Sequence, residues 1–216
     1  MNAAELLAAQ RIVPVVVIDD ASNAVPLAET LLENGLHAIE VTLRTAAGLG
    51  AIERIAKEVP DMLVGAGSVR RAAQVADVKS AGARFAVSPG SSDALLEAVA
   101  DAELPFVPGA VTASEMLKLL ELGYTLQKFF PAELSGGAAF LKAIGAPIPE
   151  VGFMPTGGIG PDNAKDYLSL ANVVCIGGSW IAPPALLIDG DFAAIAKLAA
   201  AAAALTATFE SGSRQA

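Results

Sequence analysis

Two kinds of hydrophobic pattern alternate along the chain. Short apolar runs rich in Val, Ile and Phe, most of them bounded by Gly or Pro, predict β-strands, whereas segments with apolar residues every three to four positions predict helices. Strands are predicted over Ile12–Val17, Ala38–Leu43, Met62–Gly65, Arg84–Val87, Pro105–Val107, Leu126–Phe129, Gly152–Pro155 and Val173–Ile176. Helices are predicted over Ala24–Asn34, Ala47–Glu58, Ala72–Ser80, Ser92–Ala100, Ala113–Leu122 and Asp162–Leu170, with an Ala-rich helix over Ala193–Phe209 and a loose tail over Glu210–Ala216.

This alternation predicts a fold class. Eight strand–helix repeats within 216 residues favour an α/β fold, a (β/α)8 TIM barrel that forms a single domain over residues 1–216. The near-continuous apolar character of the strands suits a parallel sheet that is covered on both faces. A doubly wound open sheet is the structural alternative, although eight parallel strands would be many for that architecture.

Local signals support several helix boundaries. Thr112 and Glu115 have the spacing of a capping box at the start of a helix. Gly35, Gly82 and Gly123 each follow a predicted helix, where glycine is the usual stop signal. The sequence shows no pattern that would indicate a linker or a second domain.

Composition narrows the expected partners. The formal net charge is -9, so nucleic acid and anionic membrane surfaces are not expected as partners, although backbone N–H groups can still hold a phosphorylated small molecule. With one cysteine, Cys175, and one histidine, His37, neither an internal disulfide nor a His/Cys zinc site is expected. The N-terminus lacks a signal-peptide pattern and no apolar run approaches the ~18 residues that span a bilayer, so a cytoplasmic location is predicted.

One lysine differs from the others in its setting. Lys128 lies in the apolar, strand-like run Tyr124–Pro131, whereas the remaining lysines lie in helical patterns: Lys57, Lys79, Lys118, Lys142, Lys165 and Lys197. An ammonium in a buried strand is costly, which favours the neutral amine, a nucleophile toward carbonyl groups. Lys128 is therefore a candidate Schiff-base residue, and a lysine whose head reaches solvent is the alternative.

The second predicted strand ends in an unusual set of side chains. Alternation along this strand places Glu40, Thr42 and Arg44 on one side, so that a carboxylate, a hydroxyl and a guanidinium project together. In a barrel this side is the interior, and Glu40 is then a candidate partner for Lys128. A purely structural Glu–Arg pair at the barrel mouth is the alternative.

Glycine pairs follow the last two strands. Gly157 and Gly158 come after strand seven, and Gly177 and Gly178 precede Ser179 after strand eight. In (β/α)8 enzymes phosphate is often bound by the loops after these two strands, where glycine lets backbone N–H groups face the anion. The pattern predicts a phosphate site, with two tight turns as the alternative.

Six short motifs in this order resemble a known family. They are Glu40-Val-Thr-Leu-Arg44, Gly65-Ala-Gly-Ser68, Ser88-Pro-Gly90, Lys128-Phe-Phe-Pro-Ala132, Pro155-Thr-Gly-Gly158 and Cys175-Ile-Gly-Gly-Ser-Trp180. The chain resembles the 2-keto-3-deoxy-6-phosphogluconate (KDPG) aldolase and 4-hydroxy-2-oxoglutarate aldolase family, class I aldolases of the Entner–Doudoroff pathway. The resemblance extends from Ile12 through Trp180 and into the final helix.

The resemblance implies a role for each matching residue. Lys128 matches the Schiff-base lysine and Glu40 the carboxylate that moves protons during carbinolamine formation and C–C cleavage. The substrate-binding positions match as follows: Arg44 for the pyruvyl carboxylate, Pro89 and Phe130 for the pocket walls, Thr156 for a substrate contact, and Gly157, Gly158 and Ser179 for the phosphate. Ser68 stands where the family usually has threonine. The resemblance also implies a homotrimer and no metal or other cofactor.

Other activities stay open at this point. The same chemistry on the galactonate-derived epimer, or on 4-hydroxy-2-oxoglutarate, is the nearest alternative. A metal-dependent aldolase, in which carboxylates hold a magnesium ion, belongs to a different class. A non-catalytic protein that binds a phosphorylated ligand is the third, and it requires Lys128 and Glu40 to be incidental.

Overall fold

The computed structural model describes residues 2–210, which form alternating strands and helices. The strands are β1 (Ile12–Val16), β2 (Ala38–Thr42), β3 (Leu63–Gly67), β4 (Phe85–Val87), β5 (Phe106–Val107), β6 (Leu126–Phe129), β7 (Gly152–Pro155) and β8 (Ile176–Gly178). The helices are α1 (Ala3–Leu7), α2 (Ala24–Glu33), α3 (Gly48–Glu58), α4 (Ala73–Ser80), α5 (Asp93–Asp101), α6 (Ala113–Glu121), α7 (Gly137–Ile144), α8 (Ala164–Leu168), α9 (Pro184–Ile188) and α10 (Phe192–Glu210). The predicted tail lies outside the described residues beyond Glu210.

All strand pairings are parallel. Six strands form a curled sheet in the order β5-β4-β3-β2-β1-β8, and β6 pairs with β7 in a second sheet. Single parallel bridges join Gly109 to Lys128 and Thr156 to Gly177, which are contacts between the two sheets. The α/β class and the curled parallel sheet are confirmed, and closure of all eight strands into a barrel stays a prediction.

Alternation along the strands separates two apolar clusters. Val13, Ala38, Leu63, Leu126 and Met154 belong to an inner cluster, which also contains Phe85, Val87, Val107 and Cys175. The alternate positions of the same strands, such as Ile12, Ile39, Val64 and Phe153, pack in a larger cluster with the helices. Period-two alternation therefore assigns each strand one face for the inner cluster and one for the helical layer.

The first helix closes the inner cluster at the amino ends of the strands. Ala3 and Leu7 of α1 are buried in this cluster. Asn2 and Glu5 form a capping box that begins the helix, since the Asn2 side chain accepts from Glu5 N at 2.9 Å and the Glu5 carboxylate accepts from Asn2 N at 2.9 Å. The sequence analysis did not predict α1, α7 or α9, which are all eight residues long or shorter.

The predicted helix signals are confirmed. The Thr112 side chain accepts from Glu115 N, and the Glu115 carboxylate accepts from the Thr112 N–H at 2.8 Å, which completes the capping box of α6. Gly35, Gly82 and Gly123 have φ values of 84°, 88° and 88°. This left-handed backbone is the helix stop that glycine favours.

The start of β8 differs from the prediction. β8 begins at Ile176, whose ladder partner in β1 is Ile12, and not at Val173. Arg11 Nη1 donates to the carbonyls of Val173 and Val174 at 3.1 and 3.0 Å, and Nη2 donates to that of Leu168 at 2.7 Å. A side chain that is distant in sequence therefore holds these carbonyls, which a local hydrophobic pattern cannot reveal.

We expect Arg11→Met to lower the free energy of unfolding by about 2 kcal/mol, because it leaves three carbonyls without their charged donor. Urea unfolding followed by circular dichroism measures the change. Arg84→Met is the matched control, because Arg84 is exposed and should change stability by less than about 0.5 kcal/mol. Equal effects of the two substitutions would contradict this role for Arg11.

Across residues 2–210, no helix combines the length and the apolar character that are needed to cross a membrane.

Candidate active site

An ion pair joins Lys128 of β6 to Glu40 of β2. Lys128 Nζ lies 3.0 Å from Glu40 Oε1 and 3.4 Å from Oε2. Lys128 is 4% exposed and Glu40 is fully buried. A buried ion pair is costly to form, and it is therefore weak evidence for a stabilising role. The structure brings together the two residues that the sequence analysis placed at the reaction, and their chemical roles stay predictions.

Strand alternation explains why these two side chains meet. Glu40 is in phase with Ala38 of the inner cluster, and Lys128 is in phase with Leu126 of the same cluster. Both side chains therefore lie on the inner face, closer to the carboxyl ends of their strands than the apolar cluster. Lys128 Nζ also lies 5.7 Å from the centroid of the Phe130 ring, which covers the amine on one side.

Arg44 lies just beyond the end of β2. Its side chain is exposed, and its Nε donates to Ser68 Oγ at 3.3 Å at the end of β3. Ser68 has a φ of 57°, a left-handed conformation that is uncommon for a residue with a side chain. Thr42, the other member of the predicted trio, instead donates from Oγ1 to the carbonyl of Val16 at 2.9 Å. Arg44 and Ser68 are thus paired at the strand ends, and Thr42 links β2 to β1.

The Thr156 hydroxyl lies beside β8 without a hydrogen-bond partner among the described residues. The residue follows β7 and is 5% exposed. Buried hydroxyls without any partner are rare, so this oxygen is suited to a ligand that enters the site. Gly177 provides the room, because a Cβ there would lie 2.9 Å from Thr156 Cγ2.

The predicted phosphate residues lie in two adjacent loops. The bridge between Thr156 and Gly177 sets the loop after β7 beside β8, and Ser179 is exposed immediately after β8. Gly157 and Gly158 have φ values of 99° and 78°, which side chains rarely adopt. These glycines are therefore required by the backbone of the loop.

The two predicted pocket walls differ in exposure. Phe130 is half-buried above Lys128, whereas Pro89 is exposed in the loop after β4. A Cβ on Gly109 would lie 2.5 Å from Gly90 N, so glycine allows the Pro89–Gly90 loop to approach the end of β5. Pro89 is thus held at the carboxyl edge of the strands.

Cys175 and His37 make no contact with the Lys128–Glu40 pair that the structure shows as a hydrogen bond or ion pair. Cys175 is fully buried, and burial raises the pKa of its thiol to about 12, which keeps it protonated. His37 is exposed just before β2. Among residues 2–210, no three His, Cys, Asp or Glu side chains are grouped as metal ligands.

Comparison with known proteins identifies the family. A sequence model of aldolases, described as KDPG and KHG aldolase, matches residues 3–198. The chain belongs to the KDPG and KHG aldolase family. Membership confirms the expected enzyme class, a carbon–carbon lyase.

Three relatives of this aldolase family illustrate the match. The 2-dehydro-3-deoxy-phosphogluconate aldolase of Pseudoalteromonas atlantica is 50% identical over 193 residues, which cover 89% of this chain and 90% of that protein. The KHG/KDPG aldolase of Escherichia coli K12 is 46% identical over 198 residues, or 92% and 93% of the two chains. The crystal structure of Legionella pneumophila KDPG aldolase, with pyruvate captured at low pH as a covalent carbinolamine intermediate, superposes with a TM-score of 0.90 at 44% identity, covering 93% and 98%.

Sequence reasoning missed how two glycines serve this aldolase site. It interpreted Gly177 as part of a predicted phosphate site, with a tight turn as the alternative. A Cβ on Gly67 would instead lie 2.6 Å from Glu40 Cγ, and Gly177 makes equivalent room for Thr156. Gly67 pairs with Thr42 in the ladder, so the Glu40 side chain leans over the neighbouring strand. An inward-facing glycine on a strand next to a buried charge is the signal that indicates this role.

We expect Gly67→Ala to lower kcat by about 10²-fold, because the added methyl displaces the Glu40 carboxylate from Lys128. Steady-state kinetics and the crystal structure of the variant check this. Gly50→Ala is the matched control, because its Cβ would lie 4.0 Å from Ala21 Cβ, an ordinary contact. A Gly67→Ala enzyme with unchanged kcat and a displaced Glu40 would contradict the need for this geometry.

Proposed function

We propose that this chain is a class I aldolase that cleaves 2-keto-3-deoxy-6-phosphogluconate to pyruvate and glyceraldehyde 3-phosphate through a Schiff base on Lys128. The observation that carries the proposal is the buried Lys128–Glu40 contact of 3.0 Å. It sets an amine and a proton-transfer group together on the inner face of the strands. The Legionella relative supports it, because its captured carbinolamine is the adduct of an amine with the ketone of pyruvate.

The first half of the reaction forms the iminium. Glu40 accepts a proton from the Lys128 ammonium, and the neutral amine attacks C2 of the keto acid to form a carbinolamine. Protonation of the C2 hydroxyl by Glu40, directly or through water, lets water leave and produces the iminium. Both steps use one carboxyl group in alternating protonation states.

The second half breaks the carbon–carbon bond. A base removes the proton of the C4 hydroxyl, the C3–C4 bond breaks, and its electron pair moves through C2 to the iminium nitrogen. Glyceraldehyde 3-phosphate leaves, and the enamine of pyruvate remains on Lys128. Protonation at C3 and addition of water at C2 then release pyruvate and the free amine. Glu40 is the nearest carboxylate to Lys128 Nζ for these proton transfers.

The surrounding residues orient the substrate. Arg44, held by Ser68, provides a guanidinium for the pyruvyl carboxylate, and carboxylates favour such a planar, charged donor. The unpartnered Thr156 hydroxyl contacts the substrate near C4. Phe130 and Pro89 form pocket walls, and Gly157, Gly158 and Ser179 hold the phosphate. These roles follow from the resemblance and agree with the positions of the residues at the strand ends.

A second substrate is favoured by one specific comparison. The Escherichia coli relative is named for both KHG and KDPG, so we propose 4-hydroxy-2-oxoglutarate as an additional substrate of this chain. It carries the keto acid that reacts with Lys128 and lacks the phosphate. The galactonate-derived epimer is the competing phosphorylated substrate.

Comparison of kcat/KM on the two epimers and on 4-hydroxy-2-oxoglutarate tests the substrate assignment. Pyruvate release is followed by coupled reduction to lactate. We expect the gluconate-derived substrate to have the highest kcat/KM, and a preference for the galactonate epimer would replace the assignment. Loss of activity in EDTA that magnesium restores would instead indicate the metal-dependent class, and tight binding without turnover would indicate a non-catalytic protein.

The proposal includes the assembly of the chain. We propose that the eight strands close into one (β/α)8 barrel, with a single domain over the described residues, and the bridges at Lys128 and Thr156 support closure. We also propose a homotrimer in the cytoplasm, as the family resemblance implies. Small-angle scattering and size-exclusion chromatography with light scattering test the oligomeric state.

A further inference from the structure

We propose that Tyr167 and Glu133 form a clasp that holds the Gly157–Gly158 loop, so that Tyr167 is a positioning residue for the phosphate end of the substrate. The proposal rests on the proposed function, because it concerns the loop to which the phosphate is assigned. It adds a residue that none of the recognised motifs contains.

The clasp is a hydrogen bond between helix α8 and the short turn that follows β6. Tyr167 of α8 is 1% exposed, and its hydroxyl donates to Glu133 Oε1. Glu133 begins the short 3-10 turn that follows β6, five residues after Lys128. Burial and the Glu133 carboxylate raise the pKa of Tyr167, so the phenol keeps the proton that it donates.

Glu133 in turn lies directly against the glycine loop. A Cβ on Gly158 would lie 2.7 Å from both Cβ and Cγ of Glu133. The two residues are therefore too close for a methyl group at position 158. The Glu133 N–H donates to the Gly157 carbonyl at 3.1 Å. A side chain held by Tyr167 therefore covers one glycine, and its backbone binds the other.

The neighbouring hydrogen bonds complete the support of this loop. Ala132 N donates to the Thr156 carbonyl at 2.8 Å, and Asn163 Nδ2 donates to the Gly158 carbonyl at 3.1 Å. The carbonyls of three consecutive residues thus bind groups on the β6 loop and at the start of α8. Gly157 and Gly158 have left-handed backbones and few conformational restraints of their own. These hydrogen bonds from neighbouring residues therefore decide the shape of the loop.

A merely structural tyrosine would behave differently from a positioning one. If the hydroxyl only stabilises the fold, its loss lowers the free energy of unfolding and changes binding of the phosphate end and of the keto-acid end equally. Loosening of the glycine loop weakens binding of the phosphate end alone, because the keto-acid end is held by Lys128, Glu40 and Arg44. The comparison of a phosphorylated substrate with pyruvate separates these roles, since pyruvate reaches Lys128 without needing a phosphate site.

The experiment uses Tyr167→Phe in the full-length enzyme, with Tyr124→Phe as the matched control. Tyr124, the other tyrosine of the chain, lies before the amino end of β6. We expect Tyr167→Phe to raise the KM for 2-keto-3-deoxy-6-phosphogluconate about tenfold, which corresponds to one lost hydrogen bond. The pyruvate concentration for half-maximal borohydride labelling of Lys128 should stay within about twofold, and Tyr124→Phe should change neither value.

Two Glu133 variants keep the test decisive. Glu133→Ala should reproduce the KM increase, and Glu133→Gln, which retains an acceptor for Tyr167, should largely restore the KM. Unchanged KM in Tyr167→Phe, or an equal change in KM and in pyruvate half-saturation, would overturn the clasp. Failure of pyruvate to label the wild-type enzyme at all would instead reject the proposed function.

Discussion

Replacement of Lys128 by methionine is expected to lower kcat by at least about 10³-fold, because no other group can supply the covalent step. Methionine has an unbranched side chain of similar length, so it fills much of the volume of the lysine stem. The measurement is pyruvate release at saturating substrate. Lys142→Met is the matched control, because Lys142 is exposed on α7 and should leave kcat unchanged.

Folding must be checked separately for this variant. Removal of Lys128 leaves Glu40 buried without its counter-charge, and such a loss typically costs about 3–5 kcal/mol. Circular dichroism and urea unfolding therefore accompany the kinetics. Trapping in the wild-type enzyme avoids this difficulty, because pyruvate and borohydride should add a stable adduct to Lys128, located by peptide mapping. An unlabelled Lys128 in active enzyme, or near-normal turnover by Lys128→Met, would reject the mechanism.

Replacement of Glu40 by glutamine is expected to lower kcat by about 10²–10³-fold, because the amide cannot accept and return a proton. Glutamine keeps the shape of the side chain and an oxygen for the 3.0 Å contact with Lys128 Nζ, so the fold should persist. The KM should change much less than kcat. Single-turnover kinetics together with the rate of labelling by pyruvate and borohydride measure which step is slowed.

The control for Glu40 is Glu121→Gln on the exposed end of α6, which should leave both kinetic constants unchanged. Slow labelling of Glu40→Gln by pyruvate would place the carboxylate in carbinolamine and iminium formation. Normal labelling with slow cleavage would place it in the later proton transfers. A variant with wild-type kcat would remove Glu40 from the mechanism and leave the ion pair as a structural feature.

The expected fold and the observed one agree most closely where the signal is local. The capping box at Thr112 and the glycine stops at Gly35, Gly82 and Gly123 were predictable, because each depends on a few adjacent residues. The predicted start of β8 at Val173 was wrong, since the ladder begins at Ile176, and the carbonyls of Val173 and Val174 bind Arg11 from the other end of the chain. Contacts of that kind leave no trace in the hydrophobic pattern.

In the candidate site, too, the sequence revealed individual residues, whereas the contacts between them came from the structure. Glu40 and Lys128 were conspicuous in sequence, since each is a charged residue inside an apolar strand. Their contact required the curled sheet that contains β2 and the separate β6–β7 pair to present side chains to a common inner face. The role of Gly67 was missed because it depends on the Glu40 side chain, which extends from the adjacent strand over the Gly67 backbone.

By itself, the sequence predicted the order of the eight strands, the alternation that separates their two faces, and Lys128 and Glu40 as the candidate amine and carboxylate. Those properties depend on period-two alternation and on the cost of burying charge, which are local. Only the tertiary structure decided that Lys128 and Glu40 meet at 3.0 Å, that Thr156 keeps an unpartnered hydroxyl, and that Tyr167 reaches Glu133. Each of these joins residues far apart in the chain, and their distances are determined by how the strands and loops pack together.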